Sequence, residues 1–211
     1  HDYVLFFTNR GKMYRMKGYE IPETGRAARG SHVVNLLPIE KDEKISAMIR
    51  VDEVENDSYL VMVTRNGTIK RTALSAYRNV RKGGIIAINL EEGDELAWVR
   101  NTTGEDDLII DTRQGVAIRF AESDVRPMGR TATGVRAIRL DEGDEVIAMA
   151  TCEEGGYLLT VTENGQGRRT PLGEYRTQNR GGRGVRNYDC EGKGTLVAGV
   201  RVVGEEDDVI L

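Results

Sequence analysis

The sequence predicts an all-β protein built from four radially repeated, four-stranded units, and three observations carry that prediction. First, Gly11, Gly67, Gly115 and Gly165 each close a turn between two apolar runs, at spacings of 56, 48 and 50 residues. Second, other residues keep fixed offsets from these glycines: Arg15, Arg71, Arg119 and Arg169 four residues on, and Ile21, Tyr77, Val125 and Tyr175 ten residues on. A cation follows fifteen residues on, as Arg26, Lys82, Arg130 or Arg180. Third, no segment sustains a helical period, and glycine is abundant (25) while proline is sparse (4). A period near 50 residues with several short strands per unit is the pattern of a propeller-like blade.

Within each unit the elements follow in order. An opening strand (Tyr3–Phe7, Tyr59–Val63, Leu108–Ile110, Tyr157–Val161) leads through the glycine turn to a second strand, which makes a hairpin. A basic, glycine-containing loop comes next. It ends at Gly30, Gly134 or Gly184 in three copies, whereas the second copy reaches Gly83-Gly84 early. A third strand is expected at Val33–Leu37 and at Val135–Leu140. Acidic turns at 91–95 and 141–145 then lead to fourth strands at Leu96–Val99 and Val146–Met149. The repeats span approximately 2–51, 58–101, 106–151 and 156–203 in a single domain over 1–211. Residues 207–211 read as the opening strand of a fifth repeat, so the sequence is expected to be a fragment.

A chain of 211 residues with 39% apolar composition can bury a sizeable core. There is no apolar run of membrane-spanning length and no leader pattern, and Cys152 and Cys190 lack CxxC spacing. A cytoplasmic protein with free thiols is therefore expected. His1 and His32 have no ligand-spaced partner, so no metal site is expected, and no nucleophile or phosphate-binding loop string is present. The recurrent acidic turns read as solvated hairpins. Tyr77 and Tyr175 share a repeat position with Ile21 and Val125 and are read as packing residues, and Trp98 is given no role.

The net charge is −4, yet its distribution is uneven. The windows 11–30, 67–86, 115–134 and 165–186 hold 19 basic and 5 acidic residues, for a net of +14. The remainder nets −18. Repetition should gather the equivalent loops on one basic rim, flanked by acidic faces, and the sign of a local field governs polyanion binding more than the average does. Arginine forks suit phosphate, and glycine lets backbone N–H groups come close to it. The expected phosphate contacts are Arg26, Arg29, Arg71, Arg78, Arg81, Lys82, Arg130, Arg169, Arg176, Arg180 and Arg183, with Gly181, Gly182 and Gly184 supplying backbone. The competing reading is that arginines and acids simply pair across loops.

Four motifs carry a family resemblance: Phe6-Phe7-Thr8-Asn9-Arg10-Gly11, Tyr19-Glu20-Ile21-Pro22-Glu23, Met128-Gly129-Arg130-Thr131-Ala132-Thr133-Gly134, and Tyr175-Arg176-Thr177 leading into Gln178-Asn179-Arg180-Gly181-Gly182-Arg183-Gly184. Over essentially its whole length the chain resembles the C-terminal domain of DNA gyrase A. The heptad at 178–184 is similar to the family's gyrase-A box: Gln, a basic residue, Arg-Gly-Gly, a basic residue, Gly. Asn179 departs from the usual cation, and the box stands in the last full repeat rather than in the first blade. The resemblance therefore implies a fragment that starts just after the first box.

The resemblance implies a β-pinwheel that binds and wraps double-stranded DNA without sequence preference and has no catalytic site of its own. It implies assembly with the rest of gyrase A and with gyrase B as A2B2, with ATP and Mg²⁺ serving the holoenzyme. It also implies a bacterial cytoplasmic setting at the nucleoid and a monomeric isolated domain. The alternatives are the related domain of topoisomerase IV, whose box is typically more degenerate, and a propeller scaffold for protein partners. The scaffold would need apolar anchors where these loops carry arginine and glycine. If about six to ten cations engage at once, log affinity should fall against log salt with a slope of about −5 to −9.

Overall fold

The computed structural model describes residues 2–21, 36–52, 57–152 and 156–204. It divides into two compact units, one of His1–Thr64, Lys70–Thr103 and Pro127–Gly134, the other of Arg65–Ile69, Gly104–Arg126 and Val135–Leu211. Of the expected strand Val33–Leu37 only Leu36 and Leu37 are described, and they are not in a strand; the expected strand at 207–211 and the cations Arg26 and Arg29 lie outside the described residues.

Fifteen strands are described: β1 (Asp2–Thr8), β2 (Lys12–Lys17), β3 (Ile45–Asp52), β4 (Tyr59–Thr64), β5 (Thr68–Ala73), β6 (Ile85–Ile86), β7 (Leu96–Thr102), β8 (Asp107–Thr112), β9 (Val116–Ala121), β10 (Val135–Arg136), β11 (Val146–Thr151), β12 (Tyr157–Thr162), β13 (Gly167–Pro171), β14 (Val185–Arg186) and β15 (Val197–Val203). Among the described residues helix occurs in short turns, such as Cys190–Lys193 and the 3-10 turns that follow the second strand of each repeat. No described helix is long and apolar enough to cross a membrane.

In the first unit one sheet is ordered β3-β1-β2-β6, and β5, β4 and β7 form the neighbouring part of a second sheet. In the second unit one sheet is ordered β11-β8-β9-β14 and another β13-β12-β15, while β10 pairs with the first two residues of β5. These strand pairings are antiparallel, and one isolated parallel bridge joins Arg119 and Thr177.

The expected third strand is corrected in two ways. At Val135–Leu140 it is two residues long, not six, and it does not pair within its own repeat. Ile85–Ile86, Val135–Arg136 and Val185–Arg186 each complete the sheet of the preceding repeat, against Lys12–Met13, Thr68–Ile69 and Val116–Ala117. The pair of residues that follows leaves the ladder because its N–H groups go to a turn carbonyl. Ala87 and Ile88 donate to Gly11 O, Ala137 and Ile138 to Gly67 O, and Asn187 and Tyr188 to Gly115 O.

This explains why the turn residue is glycine. Gly11, Gly67 and Gly115 have φ of 81°, 88° and 92°. A Cβ at these positions would come within 2.6, 3.0 and 2.3 Å of the Ile88, Ile138 and Tyr188 carbonyl oxygens. Left-handed backbone and contact with the next repeat both demand glycine.

Threonine punctuates the same hairpin. Thr8, Thr64, Thr112 and Thr162 are buried, each three residues before the turn glycine and each at a bulge in the pairing with the outer strand or beside it. The Oγ1 atoms of Thr8, Thr112 and Thr162 accept the backbone N–H of Lys12, Val116 and Gln166. The main core of the first unit gathers Leu5, Phe7, Met13, Leu60, Met62 and Tyr77, and that of the second includes Ile109, Leu158, Leu172 and Tyr175. Tyr77, Val125 and Tyr175 are buried, as a packing role requires.

Candidate nucleic-acid interface

The arginine four residues after the turn glycine proves to be half of a cross-strand pair. Its partner stands twelve residues earlier, diagonally across the hairpin, where side chains reach one another. The guanidinium carbons of Arg15, Arg71 and Arg169 lie 4.5, 4.5 and 4.3 Å from the ring centroids of Tyr3, Tyr59 and Tyr157. In the third repeat the partner is Asp107, which binds Arg119 at 3.0 Å. Two of these arginines also reach the following repeat: Arg15 donates to Arg78 O at 2.7 Å and Arg119 to Leu172 O at 2.8 Å. The tyrosines were available in the sequence as residues eight before each glycine; the aromatic–guanidinium pairing was the signal to look for.

Arg71 must be corrected as a phosphate contact. It is only 6% exposed and packs on Tyr59, so its place is in the sheet. Arg169 is exposed and stacks on Tyr157.

In the first unit the basic loop after the 3-10 turn Leu74–Tyr77 carries Arg78, Arg81 and Lys82, all exposed. Arg78 and Arg81 line an open cleft of about 630 Å³ with Arg15, Arg130, Ile85 and Ile86. Four arginines from three successive repeats thus line one cleft, and no carboxylate is among its described lining residues. Arg130 is held in place by donating from Nη1 to the Ile86 carbonyl. Arg15 was missed as a member of this group: its offset was plain in sequence, but its convergence with repeats two and three is a product of folding.

Beneath Arg130 lies Lys70, which is fully buried. Its ammonium donates to Tyr77 Oη at 3.2 Å and to the carbonyls of Ala87 and Arg130. Burial, aided by the like charge of Arg130, pulls its pKa down to about 7. Burial also pushes the Tyr77 phenol up.

In the second unit the heptad 178–184 forms the loop that leads into β14. Gln178 N–H bonds Arg119 O at 2.7 Å, and Gly181 N–H bonds Ala137 O at 2.8 Å. The expectation that Gly181 offers its N–H to phosphate is therefore corrected, because the protein uses that donor. Gly184, at φ 76°, is required because a Cβ would meet Ala117 O at 2.5 Å. Gly182 and Asn179 are exposed, and the Gly182 carbonyl accepts Arg139 N–H.

Arg180 repeats the Arg130 device: its Nη1 donates to Arg136 O at 2.6 Å, and its Nε reaches Asp124 O at 3.4 Å. Arg183 is exposed but lies 3.4 Å from Asp141. Arg176 is exposed. The adjoining cleft, about 930 Å³, mixes Arg183 and Arg186 with Asp141, Glu163, Asp189 and Glu191. Charge pairing across loops thus accounts for Arg183 and for Arg10, Arg113 and Arg119, but for none of the arginines of the first cleft among the described residues.

The family model of the DNA gyrase C-terminal domain, beta-propeller, matches residues 2–52, 58–103, 106–153 and 156–203. The chain belongs to this family. Its fold is accordingly the β-pinwheel of the gyrase A C-terminal domain. The chain is 51% identical over 211 residues to DNA gyrase A of Clostridium acetobutylicum, covering all of this chain and 25% of that protein. It is 47% identical over 215 residues to DNA gyrase A of Staphylococcus aureus, covering 100% and 24%. It therefore spans about a quarter of the length of these curated relatives. Among solved structures, the C-terminal domain of DNA topoisomerase IV matches with a TM-score of 0.86 at 29% identity, over 97% of this chain and 64% of that one. The DNA gyrase A C-terminal domain matches with a TM-score of 0.80 at 27% identity, over 98% and 67%.

Proposed function

We propose that this chain binds duplex DNA without sequence preference through its arginine-bearing loops, and bends the duplex along them as the wrapping domain of a DNA gyrase A. The observation that carries this reading is the cleft of Arg15, Arg78, Arg81 and Arg130, which has no carboxylate among its described lining residues. Guanidiniums anchored on backbone carbonyls present their remaining N–H groups to phosphate with little ordering cost, and each neutralised phosphate releases condensed counterions. Contacts spread over several repeats offset the several kcal/mol that bending a duplex costs.

In this reading the chain performs no chemistry itself. It works with the rest of gyrase A and with gyrase B as an A2B2 assembly in the bacterial cytoplasm, at the nucleoid. ATP and Mg²⁺ serve other parts of that assembly, and wrapping gives supercoiling its negative direction. The structural likeness to a topoisomerase IV domain supports a second reading, in which the same loops hold DNA for that enzyme. The 51% identity to a gyrase A favours the first.

The test is binding to a long random-sequence duplex across a salt series, with bending read on the same DNA. Steep salt dependence with strong bending is the expected result. Binding without bending would leave wrapping to other segments, and no binding at low salt would sink the proposal.

A further inference from the structure

One buried cation is not used by the phosphate contacts. Lys70 has three N–H donors and three acceptors, namely Tyr77 Oη, Ala87 O and Arg130 O, and none of these acceptors is charged. One of them belongs to a residue of the cleft wall and another to the direct neighbour of one. Arg130 is a lining residue, and Ala87 directly follows Ile86, whose carbonyl holds the Arg130 guanidinium. Lys70 stands three residues after its turn glycine, where the other repeats place Tyr14, Ile118 and Arg168. The arrangement is therefore peculiar to the second repeat, whose basic loop is two residues shorter than those of the third and fourth.

The groups that face the ammonium are few: Tyr77 from the 3-10 turn, Ala87 from the segment after β6, and Arg130 from the loop before β10. Tyr77 stays protonated across the neutral range. Lys70 is thus the one member of this cluster that can exchange a proton near neutrality.

We infer that Lys70 is a positioning residue for the arginine cleft, and that seating a DNA phosphate against Arg130 is coupled to protonation of Lys70. The inference rests on the DNA-binding reading of the same cleft. Its physical basis is direct. A phosphate at Arg130 offsets the like charge that opposes the ammonium, so the bound state holds the Lys70 proton more tightly than the free state. A neutral amine keeps only two N–H donors, so one of the three bonds is lost; the Ala87 carbonyl and the phenol still have each other, and the Arg130 carbonyl has the most to lose. By linkage, affinity is constant below the free pKa, falls as pH rises through it, and levels off above the bound value.

The experiment titrates the 211-residue chain with a duplex of about 30 base pairs by calorimetry, at constant ionic strength, in PIPES and in Tris. Expected is uptake of a fraction of a proton on binding, with affinity about three- to tenfold weaker at pH 8.5 than at pH 6.5. Lys70→Met should abolish the uptake and the pH slope while salt-dependent binding persists. Lys70→Arg, which cannot lose its charge, should restore high-pH affinity. Binding by the wild-type chain without proton uptake overturns the inference alone, and that measurement decides even if Lys70→Met fails to fold. Uptake that survives in folded Lys70→Met assigns the proton to a histidine or the terminal amine and also overturns it. No duplex binding at all overturns the parent reading and this one with it.

Discussion

The cleft of the first unit and the heptad loop of the second use the same residues to different ends. Both anchor an arginine on the carbonyl of a two-residue strand, Arg130 on Ile86 and Arg180 on Arg136. In the first unit the charged residues of the described lining are all arginines. In the second, Arg183 faces Asp141, and the neighbouring cleft alternates arginines with acids. The heptad is the more conspicuous string, yet the loop at 77–86 collects the more concentrated positive field. A motif measures how many cations a loop carries; the field also depends on what other segments bring beside it.

That ranking can be broken most directly by charge reversal. Arg78→Glu with Arg81→Glu should weaken duplex binding roughly 30- to 100-fold at about 0.1 M salt and flatten the salt slope by about two. Arg180→Glu with Arg183→Glu should cost only about five- to tenfold, because Arg183 already faces Asp141 and the neighbouring cleft carries carboxylates. A larger loss from the second pair, measured by fluorescence anisotropy, would reverse the order of the two sites.

Stability sharpens the comparison between turns that receive a following repeat and one that does not among the described residues. Gly115→Ala places a Cβ 2.3 Å from Tyr188 O on left-handed backbone, whereas a Cβ at Gly165 meets nothing within 4 Å. Gly115→Ala should cost about 3 kcal/mol, and Gly165→Ala about 1 kcal/mol from its backbone alone. Thermal melts should separate the two variants by about 4–8 °C. Equal losses would mean that contact with the next repeat contributes nothing.

The second unit also buries Asp111, which accepts from Asn187 Nδ2 at 3.3 Å, while Tyr175 Oη donates to Asn187 Oδ1. Burial raises the Asp111 pKa well above the usual carboxylate range. The folded state thus holds this proton more tightly than the unfolded chain, so the stabilisation is complete below the unfolded pKa. It is lost as pH rises through the folded value. Asp111→Asn should raise Tm at neutral pH by about 2–4 °C and flatten its decline from acid to neutral pH. An unchanged pH profile would show that Asp111 is not the group responsible. The smallest effect should come from Asp141→Asn, which releases Arg183 and should tighten duplex binding about two- to threefold. No change would mean that this exposed ion pair does not restrain the heptad.

The period, the hairpins, the turn glycines and the segregation of charge were legible in the sequence because each is local, or repeats at a fixed spacing. Arg78, Arg81 and Arg130 were legible as cations at loop positions, and Tyr77 and Tyr175 as packing residues by comparison across repeats. Arg71 was misread because its periodic position is shared by Arg15 and Arg169, while its burial depends on what packs around it. The third strand was overextended because Val135–Leu140 alternates well, although Ala137 and Ile138 give their N–H groups to Gly67 O. The role of Lys70 was invisible, since a lysine beside Arg71 in a short strand looks like any solvated cation.

By itself the sequence determined an all-β repeat, its glycine turns and which loops are basic, because side-chain period and backbone permissiveness act over a few residues. Only the tertiary structure decided that each short strand completes the preceding repeat's sheet, that Arg15 joins Arg78, Arg81 and Arg130, and that Arg183 meets Asp141. The physical reason is that burial, hydrogen-bond partners and electric fields belong to groups brought together across tens of residues, and no single repeat contains both sides of such a contact.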